Sequence, residues 1–143
     1  MPLIVNTKHT KLAGIRDVYL RDKNSNNVPE HFKKRLDEML VFIDAVDEMF
    51  PETEIWCLTS HMRLVLQTEN DWKSNWYVII DTIGSGGYYF EYLMPKHKQP
   101  WSGAIVKGVA RTIEDAKKML LISMRECEAW QGNGELEKHL STF

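Results

Sequence analysis

Pro51 separates two parts of the chain in which apolar residues repeat with different periods. Between Pro29 and Pro51 they recur at intervals of three and four, with charged residues filling most positions between them: Phe32, Leu36, Met39, Leu40, Ile43, Val46 and Phe50. This spacing predicts an amphipathic helix, because about 3.6 residues per turn place such positions on one face. Pro29 suits the first turn, and Pro51 ends the helix because proline disfavours helical backbone in the residue before it.

After Pro51 the apolar residues recur at every second position. Five segments rich in β-branched and aromatic residues follow one another, at 54–59, 62–68, 76–82, 88–94 and 104–110. Each segment is predicted to be a strand. The connections between them are short, as antiparallel hairpins require. The sequence therefore predicts an antiparallel β-meander of about five strands.

A second helix is predicted after the last strand. Thr112 and Asp115 have the spacing of a capping box, and the apolar face that follows ends near Gly132 and Gly134.

Residues 1–27 are predicted to be an irregular or strand-forming segment with a loop at 21–27. Residues 135–143 are predicted to form either one further helical turn or a mobile tail. The order of elements predicts one α+β domain over residues 1–143, with the meander packed against an N-terminal amphipathic helix and a C-terminal helix.

Composition restricts the classes of function. The 143 residues are 43% hydrophobic and 27% charged, as expected of one globular domain. A formal net charge of −2 argues against a dedicated nucleic-acid binder. A nucleic-acid-binding domain is the second alternative function, and it would use Lys117, Lys118 and Arg125 on the second helix.

No apolar run approaches the roughly 20 residues of a bilayer span, and the three-residue apolar run at 3–5 is too short for a signal peptide.

The cysteine and histidine patterns predict neither a metal nor a cofactor site. Cys57 and Cys127 lack a CxxC companion, and the five histidines occur singly, without HxH or HExxH spacing. Two isolated cysteines inside apolar segments are typical of buried thiols in a reducing compartment. We therefore expect a cytoplasmic protein.

The run Gly84-Ser85-Gly86-Gly87 leads into a strand. A phosphate-binding loop needs a helix after its glycines, so this run predicts a hairpin turn instead. A turn centred on Ser85 and Gly86 would place Asp81 opposite Phe90 or Glu91.

Paired carboxylates near this turn favour an alternative function. Two carboxyl groups can divide the roles of general acid and general base. The alternative is a small hydrolase-type enzyme with a site around His61 and Glu91, in which Arg63 and Asp81 are further catalytic candidates.

Large aromatic residues cluster near the ends of the predicted hairpins. Trp72, Tyr77, Tyr89 and Trp101 are of the types enriched in binding hot spots, and such side chains are costly to leave in water. They are the predicted partner-binding residues of a small, non-enzymatic protein-interaction module, which is the leading interpretation of the sequence. A homodimer is a second expectation, because a meander leaves edge strands that need covering.

The segment 76–126 resembles the β-β-β-α module of HicB-type antitoxins. The matching marks are the strand YVII, the turn GSGG followed by YY, and Gly108 leading through Thr112 to the acidic start of a helix. Where HicB-type modules have a Pro-Gly-Cys-like element, this chain has PKHKQPWSG, so no family residue is carried over. The resemblance implies a small regulatory or neutralising protein that binds a partner protein, similar in profile to the immunity proteins of bacterial toxin systems.

Overall fold

Four α-helices and six strands make up the part of the chain that the computed structural model describes, which is residues 3–5, 14–25, 27–71 and 73–142. A short 3₁₀ helix at Lys96–Lys98 lies between the last two strands. In chain order the elements are β1 (Leu3–Val5), α1 (Ile15–Lys23), α2 (Glu30–Met49), β2 (Ile55–Ser60), β3 (Arg63–Gln67), β4 (Val78–Thr82), β5 (Tyr88–Leu93), β6 (Ile105–Ala110), α3 (Ile113–Glu126) and α4 (Gly134–Ser141).

The strands form one sheet in the order β1-β2-β3-β4-β5-β6. Strands β2 to β6 are antiparallel neighbours, so the predicted α+β class and meander are confirmed. The sheet is mixed rather than purely antiparallel, because β1 adds to β2 in parallel, with Leu3 opposite Ile55. A parallel neighbour needs a long connection, and here α1 and α2 lie between the two strands.

One face of the sheet carries the main core. Side chains from all four helices pack with alternate residues of the strands, among them Leu64, Leu66, Val78, Ile80 and Phe90. The alternation of these positions in the sequence predicts the same face. We call the opposite side the second face; its residues include Leu58, Arg63, Val65, Ile79, Tyr89, Glu91, Ile105, Lys107 and Val109.

The centre of the second face is also apolar. Leu58, Val65 and Ile79 form a separate buried cluster there. Gln67 is fully buried beside them, and its Nε2 donates to the backbone oxygens of Asp71 (3.0 Å) and Ser74 (3.2 Å). This side chain therefore anchors the β3–β4 connection.

The N-terminal segment differs from its prediction. Residues 1–27 are not solely irregular or strand-forming, because Ile15–Lys23 is a helix. Ile15, Val18 and Tyr19 lie at helical spacing and are buried against the core. The predicted loop at 21–27 is correspondingly shorter, since helix α1 continues to Lys23. Three apolar residues are too few for a clear periodic signal, and burial against α2 stabilises the helix.

The C-terminal segment also differs. Helix α3 begins as predicted, with the Thr112 hydroxyl accepting from the Asp115 N–H at 3.1 Å. It ends at Glu126, before the predicted glycine stop, because Glu128 adopts a left-handed backbone with φ of 64°. Residues 134–141 form α4 rather than a single turn or a tail, and the Asn133 side chain caps it by accepting from the Leu136 N–H.

None of the helices in the described residues combines the length and apolar character needed to cross a bilayer.

Candidate partner-binding surface

The glycine hairpin between β4 and β5 is held by a carboxylate. Gly84 and Gly86 have φ of 87° and 86°, as the predicted turn requires. Their N–H groups donate to the two carboxylate oxygens of Glu38 on α2, at 3.2 and 2.8 Å. Adjacent N–H groups of this kind form a small anion-binding site. Here Glu38 occupies it, so the hairpin is a structural feature.

The carboxylates beside this hairpin do not oppose each other. Asp81 pairs with Tyr89, and Glu91 pairs with Ile79, one register step from the predicted pairing. The reason is that the turn is centred on Ser85, with Ile83 N–H donating to the Gly87 oxygen at 3.1 Å. The prediction that Asp81 faces Phe90 or Glu91 is therefore wrong.

Each carboxylate also has a structural partner. Asp81 accepts from the Arg35 guanidinium at 2.8 Å and from the Thr82 N–H at 2.9 Å. Glu91 accepts from the Tyr89 hydroxyl at 2.6 Å. Burial, and then the hydrogen bond and negative charge of Glu91, raise the pKa of Tyr89 to about 12.

His61 and Glu91 lie on different parts of the sheet. His61 is exposed in the two-residue turn between β2 and β3, where His61 and Met62 have φ of 52° and 70°. Glu91 lies on β5, which places the two Cα atoms about 15 Å apart at about 4.8 Å per strand and about 3.3 Å per residue. Arg63 and Asp81 occupy neighbouring register positions between them. Four cavities lined by described residues contain none of these four side chains.

Two of the cations on α3 are paired with carboxylates. Lys117 Nζ lies 3.2 Å from Glu114, and an Arg125 nitrogen lies 3.1 Å from Glu126. Of the three residues that a nucleic-acid interface would use, only Lys118 has no carboxylate partner among the described residues. These neighbouring carboxylates reduce the attraction of this helix for phosphate.

The four predicted partner-binding aromatics have different surroundings. Trp72 lies outside the described residues. Tyr77 packs edge-on against Trp130, with ring centroids 6.0 Å apart. Tyr89 lies half-buried on the second face and bonds to Glu91. Trp101, by contrast, exposes 72% of its surface.

Trp101 projects from a braced loop. The Gln99 side chain donates to the Met94 oxygen at 2.6 Å and accepts from the Gly103 N–H at 3.0 Å, so one amide joins both ends of the loop. Lys98 N–H and Ala104 N–H donate to the oxygens of Pro95 and Trp101. Hydrogen bonds at this density fix the backbone that presents Trp101.

A cavity of about 470 Å³ lies beside this loop. Its wall includes Lys96 and Gln99 from the loop, Asn75 and Tyr77 before β4, and Glu128 after α3. Trp101 directly precedes Ser102, which is also part of this wall. We call the loop 95–103 and the cavity together the loop surface.

Charges on the loop surface are mixed. The Glu128 carboxylate lies 3.3 Å from Lys98 Nζ and 3.5 Å from His97 Nε2. This contact joins the loop to the end of α3, where Glu128 holds its left-handed backbone. Lys96 has no such partner among the described residues and adds one positive charge to the rim.

Both cysteines are buried and unbridged, as predicted. Burial raises the pKa of the Cys57 thiol, and it raises that of Cys127 to about 11. Cys127 belongs to the cavity wall. Its thiol is protonated near neutral pH, and a protonated thiol is a poor nucleophile.

Comparison of the chain with protein-family models, with curated proteins and with solved structures gives no significant match. The sequence pattern identified Trp101, whereas the bracing role of Gln99 was missed. A glutamine in a loop gives no signal of its role until both of its hydrogen-bonding partners are placed.

Proposed function

We propose that this protein is a non-enzymatic protein-interaction module that binds a partner protein through the loop surface, with Trp101 as the anchor. The observation that carries the proposal is the 72% exposure of Trp101 on a loop braced at both ends by Gln99. Water around a large indole is released when a partner covers it. A braced loop loses little conformational entropy on binding.

The neighbouring cavity supports the same proposal. Its volume of about 470 Å³ admits a side chain of the partner. Tyr77 supplies aromatic surface in its wall, while Lys96 and Glu128 supply polar contacts at the rim. A buried aromatic centre with a polar rim is the usual construction of a protein interface.

The resemblance of residues 76–126 to HicB-type antitoxins suggests the biological setting. We propose an antitoxin- or immunity-like role, in which the partner is a protein whose activity this chain blocks. The loop surface lies within the resembling segment except for the residues that precede Trp76 and follow Glu126. Binding without chemistry is sufficient for such a role.

The test is the loss of binding in Trp101→Ala. A tagged protein is recovered from its native host, and we expect one partner in a fixed molar ratio. With the purified partner, Trp101→Ala is expected to weaken binding by about 2 kcal/mol or more, which is about thirtyfold in Kd. Val41→Ala is the matched control, because Val41 is 51% exposed on α2, away from the loop surface.

Two results would contradict the proposal. The first is the absence of any partner at fixed molar ratio. The second is a partner that binds Trp101→Ala as tightly as the wild type, measured by calorimetry. Far-ultraviolet circular dichroism of both variants verifies that the fold is unchanged.

A further inference from the structure

The outer side of β6 is a free edge with unpaired backbone groups. The Met94 N–H donates to the Ala104 backbone oxygen at 3.1 Å, on the side of β5 that faces β6. The Leu93 N–H donates to the Tyr77 backbone oxygen at 2.9 Å, on the opposite side of β5. In an antiparallel ladder successive residues alternate between the two sides. The N–H and C=O groups of Ile105, Lys107 and Val109 therefore point away from β5, where no strand of the described residues pairs with them.

The side chains of this edge are mostly apolar. Ile105, Val106 and Val109 are 41%, 37% and 47% exposed. Edge strands of monomeric proteins are usually protected by charges or proline. In β6 the only charged residue is Lys107. The edge is therefore suited to pairing with another strand.

An apolar groove lies beside the edge, between β6 and α3. It has a volume of about 210 Å³, and its wall includes Tyr92, Val106, Met119 and Ile122. Gly108 forms its floor next to Met119; a Cβ at this position would lie 2.7 Å from the Met119 methyl group. The absence of a side chain at Gly108 lets Met119 pack directly against the strand, and the groove stays open beside these two residues.

We propose that the occupant of this edge is β6 of a second copy of the chain, paired antiparallel about a two-fold axis through Lys107. In this register Ile105 pairs with Val109 of the partner subunit, and Val106 pairs with Gly108 of the partner subunit. The two exposed β-branched residues cover each other on the second face. Val106 lies opposite the partner subunit's Gly108, next to the groove, so the surface is self-complementary, as a two-fold interface requires.

The charges at the axis are compatible with this register. Lys107 faces Lys107 of the partner subunit, which alone would be unfavourable. Glu91 lies opposite Lys107 across the β5–β6 ladder, however. Each lysine at the axis therefore has a glutamate of its own chain on its other side, which offsets the contact between like charges. The exposed side of α3 carries both signs, with Asp115, Lys118 and the Arg125–Glu126 pair. This surface does not select a strongly charged partner strand, which favours a second copy over an acidic or basic peptide.

The pairing adds backbone hydrogen bonds and closes at two chains. Three residue pairs exchange two bonds each, about six in all. The result is a continuous sheet across both copies, with the two α3 helices on the same side. Because both β6 edges are used, the interface does not propagate into a fibre. The proposal does not involve Trp101 and is independent of the loop surface.

Sedimentation velocity over a range of protein concentrations tests the dimer. We expect the mass to rise from one chain to two. Val109→Lys, which puts a second cation in the edge, is expected to weaken dimerisation by about tenfold or more. Val41→Lys is the matched control and is expected to leave dimerisation unchanged, because Val41 is an exposed valine on α2.

Two substitutions of Lys107 test the register in opposite directions. Lys107→Val removes the like-charge contact on the axis and is expected to tighten the dimer by about tenfold. Lys107→Glu places four carboxylates in one row and is expected to abolish the dimer. A tighter association that stops at two chains and keeps the wild-type circular dichroism spectrum is not explained by misfolding, so this pair of variants remains informative if one of them is poorly folded.

Hydrogen exchange supplies the residue-level readout. In the dimer the amides of Ile105, Lys107 and Val109 are expected to slow, while those of Val106 and Gly108, which already bond to β5, stay unchanged. A wild type and a Lys107→Val variant that both remain monomeric throughout would overturn the proposal. So would assemblies larger than two chains, a dimer unaffected by Val109→Lys, or an edge that is protected only when a different protein is added.

Discussion

Glu38 fixes the glycine hairpin from a different element of the fold. Its carboxylate accepts two backbone N–H groups, one from Gly84 and one from Gly86. The Tyr88 hydroxyl donates to the Glu38 backbone oxygen at 2.9 Å and extends the same contact. Glycines alone would leave this hairpin flexible, and the contacts with Glu38 fix it to α2.

Glu38→Ala is expected to destabilise the protein by about 1–3 kcal/mol, because it removes two charge-assisted hydrogen bonds from a partly buried turn. Urea denaturation measures the change. Glu48→Ala is the matched control on the same helix, since Glu48 is exposed, and we expect it to cost less than about 0.5 kcal/mol. Equal losses in the two variants would show that the hairpin contact contributes nothing.

Helix α4 closes one end of the core through a small set of contacts. Thr53 Oγ1 donates to the Glu135 carboxylate at 2.6 Å, and the Asn133 amide donates to the same hydroxyl at 3.1 Å. His139 Nε2 lies 2.6 Å from the Met49 oxygen at the end of α2. Leu136 inserts into the core and is almost fully buried. An element of eight residues is stable only through such packing.

Leu136→Ala is expected to cost about 2–5 kcal/mol, because it leaves a cavity beneath α4. Leu140→Ala is expected to cost less, since Leu140 is only partly buried. Thermal unfolding followed by circular dichroism compares the two. A loss below about 1 kcal/mol for Leu136→Ala would mean that α4 contributes little to the stability of the core.

The whole molecule is expected to lose stability at alkaline pH because of its tyrosines. Burial is the main cause that raises the pKa of Tyr19 and Tyr92, and it raises the pKa of Tyr88 to about 12. In the unfolded chain a tyrosine titrates near 10. Above that pH the unfolded state loses protons that the folded state retains, so the contribution of these tyrosines is complete below about pH 10 and falls as the pH rises toward the folded values.

The test compares unfolding free energies at about pH 9 and about pH 11. Tyr19 and Tyr88, the two of these tyrosines that are buried, are each expected to contribute a loss of about 1.4 kcal/mol at about pH 11, one unit above the unfolded pKa. Tyr19→Phe removes one such contribution, although at lower pH it also removes the hydrogen bond from the Tyr19 hydroxyl to the Met62 oxygen. A Tyr19→Phe variant whose stability falls as steeply as that of the wild type would contradict the assignment.

Much of the fold could be predicted from the sequence because it depends on local backbone geometry. The change of apolar period at Pro51 predicted α2 and the meander, because helices and strands repeat side-chain directions every 3.6 and 2 residues. The Thr112 cap marked the start of α3 for the same local reason. The register of the glycine hairpin was one residue off, because the run at 84–87 admits more than one turn centre and the contact with Glu38 is non-local.

Burial and the order of the strands were decided only by the tertiary structure. The sequence predicted the same partner-binding role for Tyr77, Tyr89 and Trp101. In the folded protein Tyr77 packs against Trp130, Tyr89 is hydrogen-bonded to Glu91, and Trp101 remains exposed to water. Helix α1 forms because α2 and the sheet bury three of its residues. The sequence by itself determined the elements and their alternating faces, since these depend on neighbours along the chain. The exposed Trp101 and the free edge of β6 depend on which distant segments pack nearby, and that is a property of the folded molecule.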